Sequence, residues 1–277
     1  MSIFSNKRPH YGQDPFLVPF EGHYLLIESV AERRIVIREV NDLENFNPGP
    51  KHLVWHDPRE SQVWAPELHQ IDRSWYIYYS YSDGYNPNHR SQVLQSTDSP
   101  FGPYQKLNGP IHDIWGIDAT ILEYEGERYL IWSGWEDNHT VFPQNLYGAS
   151  LINPNEIEDR IKIASPSFPW EKSIAPILEG PQILKSDSGK LFISYSANAS
   201  WTCEYAVGLL EYIGGPILSS DSWAKHPQPI LKGGGHGCQV GDFYVFHKKL
   251  SGIPGWQDRV IVSKHLIWQD GLPVIHT

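Results

Sequence analysis

Three acidic residues are notable because each one immediately precedes a short apolar run. Asp14 begins DPFLVPF, Asp118 begins DATILEY and Glu179 begins EGPQILK. Hydrolysis of a glycosidic bond needs one protonated carboxylic acid for the leaving oxygen and one ionised carboxylate that activates water or attacks the anomeric carbon. A third carboxylate beside the acid can keep the pKa of that acid high. Three such groups brought together could perform this hydrolysis, although their residue types do not assign the three roles.

The elements that would position these acids form an internal repeat. Each unit begins with a polar or small residue and continues with an apolar strand, a tight turn and a second strand rich in Tyr, Phe, Leu and Ile. The five units are DPFLVPFEGHYLLIES from Asp14, APELHQIDRSWYIYYS from Ala65, DATILEYEGERYLIWS from Asp118, EGPQILKSDSGKLFISYS from Glu179 and GHGCQVGDFYVFHKK from Gly235. This pattern is typical of a β-hairpin. The units start about 50 to 60 residues apart, which leaves room for four strands in each.

The repeat predicts an all-β fold, a five-bladed β-propeller in which residues 1–277 form a single catalytic domain. A β-sandwich is the alternative architecture, and the regular hairpin repeat argues against it. The first strand of each propeller blade lines the central channel, so residues at the strand starts converge on one mouth. These residues are Asp14, Glu67, Asp118, Glu179 and His236. Buried carboxylates that lie close together raise one another's pKa, which makes this cluster a candidate functional site.

Other side chains near the strand starts could bind a substrate. Trp64, Trp115 and Trp201 could stack on a sugar ring, although core packing is the usual role of a single tryptophan. Glu67 could bind substrate or make a structural hydrogen bond to a neighbouring blade.

The bulk composition narrows the possible partners. The formal net charge is −10, and no basic block is present, so nucleic acid is an unfavourable partner and a neutral substrate fits better. Cys203 and Cys238 lack metal-ligand spacing, and two buried thiols are expected, with a disulfide as the alternative. No apolar run is long enough for a membrane helix or a signal peptide, so we expect a cytoplasmic protein without membrane contact. The oligomeric state is not predicted.

Four motifs together resemble glycoside hydrolase family 43, over nearly the whole chain. They are Asp14–Pro15, VWAPELH at Val63–His69, GIDATILEYEGERYLIW at Gly116–Trp132 and ILEGPQILK at Ile177–Lys185. The resemblance implies a five-bladed propeller and an inverting mechanism. It implies that Asp14 is the general base, that Glu179 is the general acid, and that Asp118 tunes the pKa of the acid and orients it. The carboxyls of an inverting pair should lie roughly 6.5–9.5 Å apart, whereas roughly 5 Å would indicate a retaining enzyme.

The WAPELH and LEGPQIL segments look most like the exo-acting α-L-arabinofuranosidases of the family. The expected activity is therefore release of terminal α-L-arabinofuranosyl residues from arabinan or arabinoxylan oligosaccharides. A β-xylosidase or an endo-arabinanase would carry the same three acids and stays an alternative. A carbohydrate-binding propeller without catalysis is the alternative from a different class.

The resemblance weakens near the C-terminus. Many relatives carry Gly-His-Asn where this chain has Gly235-His236-Gly237, and the family's arginine has no clean counterpart, since Arg259 is out of register. The resemblance implies that His236 binds one calcium ion in the channel, with waters completing the shell. The alternative is a neutral histidine that bonds water or Glu179. No organic cofactor is expected.

Overall fold

The computed structural model of the chain describes residues 9–276. Within this range the chain forms five antiparallel sheets and no α-helix. Three single-turn 3₁₀ helices lie in the connections, at Asn86–Asn88, Pro169–Glu171 and Ser220–Ser222. The all-β prediction is therefore confirmed for the part of the chain that the structure describes.

Each sheet is one blade whose strands are hydrogen-bonded mostly in chain order. The first strand of the described residues is β1 (His10–Tyr11), and blade 1 then contains β2 (Phe16–Phe20), β3 (His23–Val30), β4 (Arg34–Val40) and β5 (His52–Trp55). Blade 2 contains β6 (Ser61–Ile71), β7 (Ser74–Ser82), β8 (Arg90–Ser96) and β9 (Gln105–Lys106). Blade 3 contains β10 (Gly116–Tyr124), β11 (Glu127–Gly134), β12 (Asn145–Asn153), β13 (Glu156–Ile157) and β14 (Ile161–Ala164).

The last two blades follow the same plan. Blade 4 contains β15 (Leu178–Lys185), β16 (Leu191–Ala197), β17 (Ala206–Tyr212), β18 (Trp223–Lys225) and β19 (Leu231–Lys232). Blade 5 contains β20 (Gly234–Val240), β21 (Phe243–Lys249), β22 (Arg259–Gln269) and β23 (Leu272–Ile275). The five predicted hairpins are the first two strands of each blade, and the five-bladed propeller is confirmed.

The ring is closed by the N-terminal strand. β1 pairs antiparallel with β22, so that His10 lies opposite Ile261 and Tyr11 opposite Val260. The chain then crosses to blade 1 at Gly12, whose N–H donates to the carbonyl of Arg259. Closure in this way joins the first segment of the chain to the last blade and removes a free sheet edge.

The core consists of apolar layers between neighbouring blades. Between blades 1 and 2, for example, Leu25 and Ile37 belong to the same buried cluster as Leu68 and Ile77. Corresponding clusters fill the other four interfaces around the ring. Because side chains of a strand alternate between its two faces, each blade can bury both faces against its neighbours. The inner strands β2, β6, β10, β15 and β20 are thereby held around the central axis.

Some sequence-based expectations have other outcomes. Both cysteines are free, but Cys203 is exposed, whereas a buried thiol was expected; Cys238 is buried. Residues 1–8 and 277 lie outside the described residues. The single domain over residues 1–277 and the cytoplasmic location inferred from the N-terminal residues therefore stay predictions. None of the helices between residues 9 and 276 has the length and apolar character that spanning a membrane requires.

Candidate active site

A residue with a positive φ stands at the start of the inner strand of every blade. In blades 2 to 5 the pairing of the first two strands skips two residues on the inner strand, which is a β-bulge. The first residue of each bulge, and its counterpart before β2, has a positive φ between 41° and 59°: they are Asp14, Ala65, Asp118, Gly180 and His236. A bulge re-aims a side chain out of the regular strand alternation. The repeat therefore points five equivalent positions toward the channel mouth.

Three of these five positions carry ionisable side chains, and the structure brings them together. His236 lies between the two aspartates, with its Nδ1 3.2 Å from Oδ1 of Asp14 and 3.9 Å from Oδ2 of Asp118. Oδ2 of Asp118 also accepts the backbone N–H of Gly180 at 3.0 Å. Side chains from blades 1, 3 and 5 are thus close together at the channel mouth, as the repeat predicted.

Glu179 reaches the same place from a different position of the repeat. It pairs with Ser196 immediately before the bulge, so its counterparts are Trp64 and Ile117 rather than Asp118. The bulge residue itself is Gly180, where a Cβ would come within 2.9 Å of the His236 ring. The Glu-Gly pair therefore places the carboxylate beside the aspartates and leaves room for the histidine.

The surroundings of the three carboxyls shift their pKa values in different directions. Burial raises the pKa of Asp14, but the charge of His236 and the contact with His247 outweigh burial and hold this pKa well below its usual range. Burial raises the pKa of Asp118 to about 7; Glu179 and Asp14 add to the rise, and His236 opposes it. Burial also raises the pKa of Glu179, against the charge of His236. Near neutral pH, Asp14 is therefore ionised while the Asp118–Glu179 pair can retain a proton.

The acids line a cavity of about 480 Å³ at the channel mouth. Asp14, Asp118, Glu179 and His236 all contribute to its wall, and the three candidate tryptophans line it as well: they are Trp64, Trp115 and Trp201. A volume of this size suits a small ligand in a cavity with aromatic walls and a few convergent polar groups. The sequence-predicted residues therefore form one pocket, with the exception of Glu67.

The aromatic walls of the cavity differ in exposure. Trp115 is buried and stacks on Trp135 with ring centroids 4.4 Å apart, and Trp64 stacks on His89 at 3.9 Å. Trp201 is only partly buried and lies 5.2 Å from the exposed Trp256, centroid to centroid. Trp64 and Trp115 thus each have one face occupied by another ring. The pair formed by Trp201 and Trp256, on blades 4 and 5, is more open to a ligand.

Glu67 lies one layer deeper in the channel. It follows the Ala65–Pro66 bulge of blade 2 and is buried. Its oxygens bind Nε2 of Gln182, from blade 4, and Nε2 of His69, the latter at 2.9 Å. Glu67 thus makes a structural hydrogen bond, but the bond crosses the channel to blade 4 instead of joining a neighbouring blade, and Glu67 is not part of the cavity wall.

The surroundings of His236 favour a charged ring. Burial lowers the pKa of this histidine, but the negative charges of Asp14, Asp118 and Glu179 outweigh burial and raise it. A metal ligand must be a neutral imidazole, and Ca²⁺ takes about six to eight oxygen ligands. Among residues 9–276, no group of three or more His, Cys, Asp or Glu side chains could hold a metal ion. The calcium ion stays a prediction, and no chemical step below depends on it.

Four further polar residues belong to the site but were not identified as site residues from the sequence. Tyr205 donates to Oε1 of Glu179 at 2.8 Å, and Gln144 donates to Oε2 at 3.4 Å. His247 lies against Asp14. Arg259, which looked out of register, lines the cavity and donates to the side chain of Gln13 at 2.9 Å. These residues come from loops and from the second and third strands of blades, which the hairpin-start pattern does not include.

The fold and the site define a class of protein: a five-bladed propeller whose channel mouth holds three carboxylates in an aromatic pocket. Residues 9–273 match the model of glycosyl hydrolases family 43, and the chain belongs to this family. The resemblance inferred from the sequence is therefore confirmed.

Individual relatives agree with the family assignment. The chain is 30% identical over 262 residues to alpha-L-arabinofuranosidase 43 of Humicola insolens, covering 89% of this chain and 54% of the relative. It is 29% identical over 258 residues to an extracellular exo-alpha-(1->5)-L-arabinofuranosidase of Streptomyces chartreusis, covering 83% of this chain and 77% of the relative. The chain thus spans only about half the length of the Humicola relative.

A solved structure supports the same fold. The crystal structure of alpha-L-arabinofuranosidase from Lactobacillus brevis superposes with a TM-score of 0.84 at 26% identity, covering 95% of this chain and 93% of that chain. A thermostable family-43 glycoside hydrolase superposes with a TM-score of 0.82 at 23% identity, covering 96% of this chain and 93% of that chain, which shows the fold.

Proposed function

We propose that this chain is an inverting, exo-acting glycoside hydrolase that releases terminal α-L-arabinofuranosyl residues from arabinan or arabinoxylan oligosaccharides. The observation that carries the proposal is the convergence of three carboxylates whose pKa values are driven apart. Burial raises the pKa of Asp118 and that of Glu179, while His236 and His247 lower that of Asp14. Carboxyls whose pKa values differ in this way supply an acid and a base at the same pH.

The low pKa of Asp14 suits a general base, and the family resemblance assigns the acid role to Glu179 and the supporting role to Asp118. A water molecule attacks the anomeric carbon while the bond from that carbon to the leaving oxygen breaks. Asp14 accepts a proton from the water, and Glu179 gives its proton to the leaving oxygen. Asp118 supports the acid through its charge and accepts the N–H of Gly180, the residue after Glu179. The roughly 6.5–9.5 Å separation expected between the carboxyls of Asp14 and Glu179 stays a prediction.

The choice of sugar rests on the relatives. Both curated relatives described above are named arabinofuranosidases, and one is named for exo action. In this proposal Trp201, together with Trp64 and Trp115, provides the apolar surface for the sugar ring. No feature of the cavity specifically favours a β-xylosidase or an endo-arabinanase, so neither activity is proposed. Assays on a substrate panel of arabinan, arabinoxylan and xylo-oligosaccharides would detect either one.

The test compares leaving groups. We expect wild type to hydrolyse both 4-nitrophenyl α-L-arabinofuranoside and α-1,5-arabinobiose. Glu179→Gln should lose about 10²–10⁴-fold in kcat/KM on the disaccharide and less on the nitrophenyl substrate, because nitrophenolate leaves with little protonation. Asp14→Asn should lose activity on both substrates. Glu123→Gln, an exposed acid outside the cavity, is the control.

Three results would contradict the proposal. Full activity of Glu179→Gln on the disaccharide would remove the acid role. Product released by wild type with retained anomeric configuration, followed by proton NMR, would exclude an inverting mechanism. Sugar binding by calorimetry without any hydrolysis across arabinan, arabinoxylan and xylo-oligosaccharides would indicate a non-catalytic propeller.

A further inference from the structure

One tryptophan differs from all the others in its exposure. The chain contains 11 tryptophans, all of them within the described residues, and Trp256 alone is exposed, at 61%. It lies in the connection between β21 and β22, residues 250–258, which we call the blade 5 loop. An exposed ring of this size keeps a large apolar area in water, so free energy is gained when a ligand covers it.

The blade 5 loop is fastened on both sides of Trp256 by one buried cation. The side chain of Lys249 is only 4% exposed, and its Nζ donates to the carbonyls of Gly255 and Gln257, each at 2.9 Å. The same Nζ pairs with the carboxylate of Asp258 at 2.6 Å. A loop that is already ordered loses little conformational entropy on binding, so this anchoring suits a surface that contacts a ligand.

The blade 5 loop is also joined to the loop of blade 4 that carries Trp201. The N–H of Gly255 donates to the carbonyl of Trp201 at 2.8 Å. The guanidinium of Arg259 lies 5.0 Å from the centroid of the Trp256 ring and donates to the carbonyl of Ser200 at 2.9 Å. The two tryptophan rings are thereby held next to each other, with centroids 5.2 Å apart and an interplanar angle of 53°.

Trp256 belongs to the outer part of the cavity that holds the three carboxylates. It lines this cavity together with Trp115 and Trp201, and exposure increases from the buried Trp115 through the partly buried Trp201 to Trp256. Val141 and Phe142, from the connection between β11 and β12 of blade 3, are also exposed and line the cavity. The outer part therefore presents apolar surface from two blades that are not neighbours.

An apolar surface at this place suits a second sugar ring. A sugar carries C–H groups on its faces and hydroxyls at its edge, so it can cover an aromatic ring while its hydroxyls stay in water. The proposed function places the sugar that is released against the carboxylates and Trp201. The sugar on the other side of the broken bond must then lie further out, where Trp256 is the next ring.

We propose that Trp256 is the stacking surface for the leaving-group sugar, the ring from which the terminal residue is released. The contact gives the enzyme a preference for oligosaccharides over glycosides with a small leaving group. This role rests on the proposed function, because the leaving group is defined only by the bond that the carboxylates break. Trp256 acts on specificity and takes no part in proton transfer.

The test compares two leaving groups of different size. The second sugar of α-1,5-arabinobiose can reach Trp256, whereas the methoxy group of methyl α-L-arabinofuranoside cannot cover the ring. In Trp256→Ala, kcat/KM should fall about 10-fold more on the disaccharide than on the methyl glycoside, because the apolar contact is lost. The additional loss should be mainly in KM, since a stacked leaving group is held equally in the ground state and in the transition state. Trp256→Phe should recover most of it.

The matched control is another apolar residue of the same loop. Ile253 is 74% exposed and does not line the cavity, so Ile253→Ala should keep the wild-type ratio of the two kcat/KM values. Equal losses on both substrates in Trp256→Ala would show that the ring acts only through the fold of the loop, which would overturn the proposal. A wild-type ratio would overturn it as well, and a changed oligomeric state in size-exclusion chromatography would then assign the ring to a contact between two copies of the chain.

Calorimetry provides a readout without turnover. In Glu179→Gln, which should hydrolyse the disaccharide slowly, addition of Trp256→Ala should weaken binding of arabinobiose about 10-fold more than binding of arabinose. Equal weakening of both would contradict the proposal. If wild type hydrolyses no glycoside of the substrate panel, the proposed function fails and the role of Trp256 fails with it. If wild type hydrolyses arabinobiose and Trp256→Ala keeps the wild-type ratio, only the role of Trp256 fails.

Discussion

At the scale of single residues, the site depends on small differences between equivalent positions. Asp14 and Asp118 occupy equivalent positions of the repeat, yet one carboxyl is held ionised and the other can keep a proton near neutral pH. The difference arises from which partners lie within about 4 Å, since opposite charges favour the ionised form and burial and like charges oppose it. The types of the neighbouring residues therefore set the different protonation states of the two carboxyls.

The hydrogen bond from Tyr205 tunes the proposed acid. It stabilises the ionised form of Glu179 and so lowers its pKa against the effect of burial. In Tyr205→Phe the pKa of Glu179 should rise, and the high-pH limb of the kcat/KM profile should move up by roughly one pH unit. Tyr195→Phe is a matched control, because Tyr195 donates at 2.7 Å to the buried Glu171, away from the cavity. A limb that moves down, or moves equally in the control, would contradict this role.

His236 allows a test of the predicted calcium ion. If the ion is present, elemental analysis of the purified protein should find about one calcium per chain, and His236→Ala should lose it. A chelator should then lower Tm in wild type more than in the variant, because an ion that binds only the folded state stabilises it. If wild type contains no calcium and a chelator leaves its Tm unchanged, the charged ring favoured by the surrounding carboxylates is the state of His236.

At the scale of elements, the feature that builds the site is a positive-φ residue at the start of each inner strand, which in blades 2 to 5 belongs to a β-bulge. It turns one residue per blade toward the axis, and Gly180 in blade 4 makes room for the His236 ring from blade 5. Positive φ values are tolerated best by glycine and, among other residues, by Asn, Asp and His. Asp14, Asp118 and His236 are thus residue types that such a position accepts at modest cost.

A substitution in the bulge should affect activity more than stability. In Gly180→Ala the new Cβ would meet the His236 ring at 2.9 Å, and the displaced backbone N–H would no longer hold Asp118. We expect kcat to fall about 10²-fold, with a stability loss of about 1–3 kcal/mol from the strained φ and the contact. The measurements are steady-state kinetics and thermal unfolding.

The control is a glycine with a similar backbone and free space. Gly189 also has a positive φ, of 83°, and lies in the hairpin turn of the same blade with nothing within 4 Å of an added Cβ. Gly189→Ala should show a stability loss of about 1–2 kcal/mol and wild-type kcat. Equal kinetic losses in both variants would show that the close approach of Gly180 to His236 is unimportant.

At the scale of the whole molecule, ring closure keeps the blades in contact. β1 contributes two residues to blade 5, and His10 of that strand also bonds Glu28 of blade 1 at 2.9 Å. The same short segment leads directly to Asp14. Loss of closure would therefore loosen the interface between blades 5 and 1, where His236 and His247 meet the proposed base.

Removal of this segment should test the coupling between closure and the site. Deletion of residues 1–11 should lower the free energy of unfolding by about 1–3 kcal/mol, or Tm by a few degrees, since several hydrogen bonds are lost. It should also reduce kcat, because Asp14 loses its anchored approach. Deletion of residues 1–8, which leaves β1, is the control that separates the contribution of residues 9–11 from that of the preceding residues. Wild-type unfolding and kinetics in the longer deletion would contradict a role in closure.

The sequence determined the fold and most of the site. Alternating apolar residues and turn residues in five similar segments specify five hairpins, because these are local properties of the chain. The repeat then predicts that Asp14, Asp118 and His236 meet, which the structure confirms. Five-fold repetition extends a local pattern to the whole molecule, and this made the propeller predictable.

Only the tertiary structure decided the partners of these residues. Glu67 lies one layer below the cavity, Arg259 enters it despite its register, and Tyr205 and His247 bind the two proposed catalytic groups. These contacts join residues far apart in the chain, and an offset of one residue at a bulge decides which layer a side chain reaches. The protonation states also depend on distances of a few ångströms between blades, which no local pattern of the sequence encodes.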